Sequence, residues 1–184
     1  MGIDILKLLQ DANNEYLAFE KHPASKLDLD QKVHYLNALA LLMNSDEEIH
    51  EKERGYLVTL IHSFNLPNEK LDELIAFSKS ADNSSVIEMN KMLPKDELKF
   101  IFLMDCFIIA YKDGVLKPVE KNVIGEYART SKINKIDIDR VERLYKVIIE
   151  RRPLPKNETI SFQGCKVDIK IFNYLFDYYG VKHK

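Results

Sequence analysis

The feature that most constrains this chain is a pair of acidic turns 67 residues apart. The first runs from Asp46 to Glu53 and the second from Asp113 to Glu120, so each begins with Asp and has Glu seven positions later. A shared register of core-type positions across about 30 residues predicts a duplicated helical unit. The apolar pairs that keep this offset are Leu36 with Leu103, Leu42 with Ile109, Ile49 with Leu116, Leu57 with Ile124, and Leu66 with Ile133.

Residues 1–150 carry the apolar spacing of amphipathic helices, and no segment there requires a strand. The first predicted helix covers about residues 3–20. A central helix from Phe100 to Tyr111 is too short to cross a bilayer, so we expect it to be buried inside the protein. The predicted fold is all-α, a compact bundle of about seven to nine helices built from a pseudo-duplicated unit.

Asp105 is the only charged residue between Phe100 and Tyr111. Burying an unpaired carboxylate is costly, so we expect Asp105 to have a partner or a raised pKa. An Arg, Lys or Tyr side chain is the expected partner, and a functional polar site in the core is the alternative interpretation.

Prolines at 153 and 155 make a continuing helix implausible and divide the chain into a domain of residues 1–150 and an appendage of residues 151–184. The appendage is rich in aromatic residues. Its pattern predicts a small hairpin around Gln163-Gly164, followed by a helix that stops at Gly180 or by a strand. The aromatic side chains form either a lid on the helical core or a surface for a partner or a second copy, and burial of Phe172, Phe176 and Tyr179 would separate these interpretations.

Composition excludes several classes of function. The chain has 184 residues and a net charge of −2, so it lacks the basic surface expected of a nucleic-acid-binding protein. Its two cysteines lack the spacing of a metal site, so we expect a reduced compartment. The N-terminus does not resemble a signal peptide, so we expect a cytoplasmic location and no membrane insertion. The five histidines are scattered and no cysteine has an activating base nearby in sequence, so we expect no enzymatic activity.

The two turns have a structural interpretation. Glu53 and Glu120 fall at the third position of a helix, where a carboxylate accepts hydrogen bonds from free backbone N–H groups. Asp113-Gly114 suits a helix end in which glycine adopts a positive φ. Glu47 stands where the second turn has Gly114, and the same conformation there costs about 1–2 kcal/mol. We therefore expect the first turn to differ in shape.

The turns also have a functional interpretation. Clustered carboxylates can bind a hard divalent cation, Ca²⁺ or Mg²⁺, although the spacing here is not that of an EF-hand. Such a site requires Asp46, Glu53, Asp113 and Glu120 to meet across the interface between the repeats. A third interpretation is an acidic face that binds a protein.

The segment from Ala110 to Leu116, followed by Glu120, resembles a motif of the TerB-like family, which is named after a tellurite-resistance protein and is found also in DnaJ-like co-chaperones. In that motif, an Ala-x-x-Asp-Gly turn precedes an aliphatic residue and a helix that starts at Glu. The segment from Asn44 to Ile49, followed by Glu53, matches it more loosely. The resemblance covers about residues 30–150.

This resemblance implies a compact helical domain of the bacterial cytoplasm, with roles in responses to tellurite and other stresses. It also implies metal binding through Asp46, Glu53, Asp113 and Glu120, and assembly at membrane complexes. The expected function is that of a non-enzymatic interaction module with a protein partner. The alternative is a scaffold or dimerisation protein that uses the aromatic appendage.

Overall fold

A computed structural model describes residues 22–152, 159–162 and 165–181, and side chains over 22–152 and 167–181. The helix predicted at residues 3–20 lies outside these ranges. The described helices are α1 (Leu29–Met43), α2 (Glu51–Ser63), α3 (Lys70–Ser80), α4 (Asn83–Met92), α5 (Leu98–Ala110), α6 (Pro118–Thr130), α7 (Lys135–Ile149) and α8 (Asn173–Tyr179). Two strands, β1 (Thr159–Phe162) and β2 (Cys165–Asp168), and two 3₁₀ turns, Pro23–Lys26 and Ile169–Phe172, complete them. The predicted all-α bundle with a small C-terminal appendage is confirmed.

Side-chain caps define several helix starts. Asp28 accepts the Gln31 N–H at 2.8 Å, and the Gln31 side chain accepts the Asp28 N–H in return. Asp82 caps α4 and Asn134 caps α7 by accepting backbone N–H groups in the same way. These bonds satisfy N–H groups that the helices themselves leave without partners.

Helix α5 forms the centre of the molecule. Every residue from Phe100 to Ala110 is buried, as predicted from its continuous apolar sequence. Helices α1, α2, α6 and α7 pack around it, so that each repeat contributes to one shared core. No helix in the described ranges is both long and apolar enough to cross a bilayer.

The duplicated unit is confirmed by the helix boundaries. Helix α1 ends at Met43 and α5 ends at Ala110, which is an offset of 67 residues. Helices α2 and α6 are offset by the same 67 residues at both their first and their last positions. Each repeat is therefore a helical hairpin with an acidic turn at its bend.

The appendage contains both of its predicted elements. Strands β1 and β2 pair antiparallel, with Ile160 opposite Val167, and α8 ends at Gly180 with a φ of 65°. Phe172 and Phe176 are fully buried, and Tyr179 is half-buried. Helix α8 packs on α7, which fits the prediction of a lid on the helical core.

Candidate functional site

The two acidic turns share a backbone hydrogen-bond pattern and a left-handed residue at the same position. The N–H of Glu47 bonds to the Asn44 carbonyl at 3.1 Å, and the N–H of Gly114 bonds to the Tyr111 carbonyl at 3.0 Å. Glu47 has a φ of 65° and Gly114 a φ of 97°. The expectation that the first turn differs in shape is wrong, because the surrounding hydrogen bonds hold Glu47 in a conformation that favours glycine.

The first aspartate of each turn stabilises the turn itself. Asp46 Oδ1 accepts the Glu48 N–H at 3.1 Å, and Asp113 Oδ1 accepts the Val115 N–H at 3.1 Å. An aspartate side chain that bonds backbone two residues ahead is a common device for fixing a turn. One oxygen of each aspartate is thus committed to local structure.

Glu53 and Glu120 are helix-capping residues, as predicted. Glu53 Oε2 accepts the His50 N–H at 2.9 Å, and Glu120 Oε2 accepts the Lys117 N–H at 2.7 Å. Both glutamates stand at the third position of their helices and both are only 3% exposed. Each repeat therefore buries one carboxylate beneath its turn.

Lys117 links the two turns. Its Nζ forms an ion pair with Asp46 Oδ2 of the first repeat and lies 3.5 Å from Asp113 Oδ2 of its own repeat. The same ammonium lies 3.4 Å from His50 Nε2 and 4.0 Å from Glu48 Oε2. We call these residues the acidic end, which comprises Asp46, Glu48, His50, Glu53, Asp113, Lys117 and Glu120. Of the four carboxylates predicted from the sequence, Asp46 and Asp113 thus meet at Lys117. The other two, Glu53 and Glu120, lie close enough to interact electrostatically with each other and with these aspartates.

Burial and mutual repulsion set the pKa values of the two glutamates. Burial raises the pKa of Glu53 to about 7, against the backbone hydrogen bond from His50, and the nearby carboxylates of Glu120 and Asp46 add to the rise. Burial also raises the pKa of Glu120, against its backbone hydrogen bond, with Asp113 and Asp46 contributing. Both shifts favour the protonated glutamates.

In the ion pair between Lys117 and Asp46, the pKa shifts favour the charged forms of both groups. The hydrogen bond to Asp46 raises the pKa of the Lys117 ammonium above its usual value, against partial desolvation. Burial alone would raise the pKa of Asp46, but the hydrogen bonds from Lys117 and the Glu48 N–H outweigh it and lower that pKa. Both partners are therefore charged at neutral pH.

The acidic end fits an ammonium ion better than a divalent metal ion. Asp46, Glu48 and His50 offer ligand atoms within 4.8 Å of one another, which is close enough for a shared ion. Lys117 Nζ, however, lies within 4.0 Å of a side-chain atom of each of these residues. A divalent ion shared by the two turns requires Lys117 to be displaced, because two cations at such short range repel each other strongly.

A second carboxylate cluster lies in the core. Asp105 is fully buried and accepts hydrogen bonds from Tyr35 at 2.5 Å, Tyr56 at 2.8 Å and Tyr174 at 3.0 Å. His22 Nε2 lies 3.0 Å from the same carboxylate. The prediction of a tyrosine partner for Asp105 is confirmed, and three tyrosine hydroxyl groups donate to this carboxylate.

The orientation of His22 is fixed by its backbone contact. Its Nδ1 accepts the Ala24 N–H at 3.1 Å, so the ring proton lies on Nε2 and is donated to Asp105. The core carboxylate therefore has four donors, and none of them needs to carry a positive charge.

The sequence model of a known family, described as "Tellurite resistance protein TerB", matches residues 32–143. The matched range contains both acidic turns and Asp105, and it ends before the appendage. No curated protein and no solved structure shows significant similarity to the chain.

Proposed function

Since this chain belongs to the TerB family, we propose that it is a non-enzymatic interaction module in a bacterial stress response of the tellurite-resistance type. The observation that carries the proposal is the convergence of both acidic turns at one end of the matched domain. We place the module in the cytoplasm and propose that its protein partner belongs to a membrane-associated complex.

The acidic end has the character of a protein-binding surface. Val115, which directly follows the second turn, is 65% exposed, and Val119 is 38% exposed. Glu48 adds an exposed carboxylate from the first turn. Apolar side chains beside charged groups are typical of binding surfaces, since the apolar groups provide affinity and the charges select the partner. A partner segment with basic and apolar side chains would complement this surface.

The alternative function, dimerisation or scaffolding through the aromatic appendage, has less support. Phe172 and Phe176 are fully buried, and Tyr174 is 4% exposed and bonded to Asp105. These side chains cannot contact another protein unless the appendage leaves the bundle.

Growth in the presence of tellurite tests the proposal. A strain of the source organism that lacks the gene should grow less well, and the wild-type protein should restore growth. Val115→Lys should fail to restore growth because it places a positive charge on the binding surface. Ile149→Lys is the matched control, since Ile149 is an exposed aliphatic residue on α7 at the end of the repeat domain. Lack of restoration by wild type would contradict the stress role, and full restoration by Val115→Lys would contradict the location of the surface.

Cation binding is the second candidate function because the fold brings Asp46, Glu53, Asp113 and Glu120 together. Ca²⁺ or Mg²⁺ would have to displace Lys117 from the two aspartates. A titration followed by NMR would report on each turn separately. Unchanged chemical shifts at the four carboxylates would remove this candidate without affecting the interaction role.

A further inference from the structure

The repeat symmetry places His50 of the first turn opposite Lys117 of the second turn. His50 and Lys117 are equivalent residues that immediately precede α2 and α6. Their backbones match closely, with φ and ψ of −79° and 147° at His50, and −73° and 150° at Lys117. The two side chains meet across the repeat interface at 3.4 Å. The ammonium of lysine carries a positive charge at neutral pH.

We infer that the Lys117 ammonium is the resident cation of the acidic end, so that an internal charge, and not a bound divalent metal ion, joins the two turns. This inference goes beyond the proposed function, because it concerns what stabilises the acidic end whether or not a partner binds there. It also distinguishes this chain from the metal-binding arrangement that the family resemblance implies.

The contacts of Lys117 are those of a bridging cation. Its side chain pairs with Asp46, which lies 71 residues earlier in the sequence, and with Asp113 in its own turn. The Lys117 side chain is 29% exposed and that of Asp46 is 13% exposed, so solvent screens this pair less than a fully exposed one. The ammonium thus occupies the position that a metal ion would need to bridge the repeats.

The remaining oxygens provide few free ligands. Asp46 Oδ1 and Asp113 Oδ1 already accept backbone N–H groups, as do Glu53 Oε2 and Glu120 Oε2. Ca²⁺ requires roughly six to eight oxygen ligands, and Mg²⁺ requires a near-ideal octahedron of about six. A metal ion would have to compete with both Lys117 and these backbone bonds.

The buried glutamates need no additional cation. Glu53 Oε2 accepts the His50 N–H and Glu120 Oε2 accepts the Lys117 N–H, each at the start of a helix, where the helix dipole favours a negative charge. The outer aspartates are offset by Lys117. The acidic end can therefore be stable without metal.

Thermal unfolding of three lysine variants tests the inference. Lys117→Met keeps a long, unbranched side chain but removes the charge, whereas Lys117→Arg keeps the charge. Lys135→Met is the control, since it removes a lysine from an exposed ion pair with Asp139. Each protein is heated with EDTA, with Ca²⁺ and with Mg²⁺. Wild type, Lys117→Arg and Lys135→Met should unfold at temperatures that do not depend on these additions.

Lys117→Met should unfold roughly 3–8 °C lower than wild type in EDTA, because the aspartates then repel each other without compensation. Ca²⁺ should recover part of this loss, since the vacated position is surrounded by carboxylates. An unfolding temperature equal to that of wild type in EDTA would overturn the inference.

A binding measurement on the wild-type protein tests the inference even if Lys117→Met does not fold. Calorimetric titration of wild type with Ca²⁺ and Mg²⁺ should show no binding. A clear binding isotherm that is lost in Asp46→Asn would show that metal displaces or joins Lys117, and would overturn the inference. The growth experiment on Val115 reports on the interaction role separately.

Discussion

The acidic end and the Asp105 cluster stabilise negative charge in opposite ways. At the acidic end, several partly exposed carboxylates share one ammonium, Lys117. In the core, a single fully buried carboxylate is surrounded by phenols and an imidazole. The difference shows that one carboxylate can be buried with hydrogen bonds alone, whereas neighbouring carboxylates need a cation or protonation to offset their repulsion.

The phenols are well suited to the core site. Burial raises the pKa values of Tyr35, Tyr56 and Tyr174 well above their usual value, and the nearby Asp105 carboxylate raises them further. The hydroxyl groups therefore keep their protons and remain donors. Because Tyr174 lies in α8 and Asp105 in α5, this network also attaches the appendage to the bundle.

Removal of the core carboxylate should have the largest effect. Asp105→Ala leaves buried hydroxyl groups without their acceptor and should lower the free energy of unfolding by about 3–5 kcal/mol. Asp139→Ala, which removes an exposed carboxylate paired with Lys135, should cost less than about 0.5 kcal/mol. Urea unfolding of both variants measures the difference. A loss below about 1 kcal/mol for Asp105→Ala would mean that the network does not stabilise the fold.

Loss of one phenol from the core should have a smaller effect. Tyr174→Phe removes one of four donors to Asp105 and should cost about 1.5–3 kcal/mol, with faster hydrogen exchange in α8. Tyr111→Phe is the matched control, because its hydroxyl donates at 2.7 Å to Glu142, whose side chain is 22% exposed and also pairs with Lys146. That variant should cost less than about 1 kcal/mol. Equal losses in the two variants would contradict the distinction between core and surface carboxylates.

Much of this arrangement follows from sequence patterns. The register of apolar positions predicts the duplicated hairpins, and the third-position glutamates predict the helix caps at Glu53 and Glu120. An isolated Asp105 in an apolar segment predicts a buried carboxylate with a polar partner. Each of these inferences depends on neighbours in sequence or on helical spacing.

The other features depend on distant contacts. Tyr174 reaches Asp105 from the appendage, whose position on the bundle no local pattern specifies. Lys117 looks like an ordinary residue before a helix until the fold places Asp46 beside it. At Glu47, the residue type predicts a turn that differs in shape from the second one. The hydrogen bonds of the turn nevertheless hold Glu47 in the left-handed region, as they do Gly114. Tertiary contacts decide in all three cases.

The raised pKa of Glu53 predicts a pH dependence of stability at the acidic end. A glutamate with a pKa of about 7 in the folded state and about 4.3 when unfolded takes up a proton on folding between these values. Its stabilising contribution is complete below about pH 4.3 and is lost as the pH rises through about 7. Glu53→Gln mimics the protonated form and should remove on the order of 1–2 kcal/mol from the stability difference between about pH 5 and pH 7.5.

The control for this experiment is Glu126→Gln. The hydrogen bond from Arg129 lowers the pKa of exposed Glu126, so its titration falls below the tested window. Denaturant unfolding at both pH values should give nearly the wild-type difference for this variant. A Glu53→Gln protein with the wild-type pH dependence would show that Glu53 is ionised in the folded state across the window.

The smallest expected effects come from substitutions at the residue with positive φ in each turn, Glu47 and Gly114. Glu47→Gly relieves the left-handed conformation but increases the freedom of the unfolded chain, for a net gain of about 0.5–1 kcal/mol. Gly114→Ala should cost about 1 kcal/mol for the opposite reason, since open space around this glycine leaves conformation as the only penalty. Urea unfolding measures both. Changes of the same sign in the two variants would contradict the equivalence of the turns, and with it the symmetric placement of Asp46 and Asp113 around Lys117.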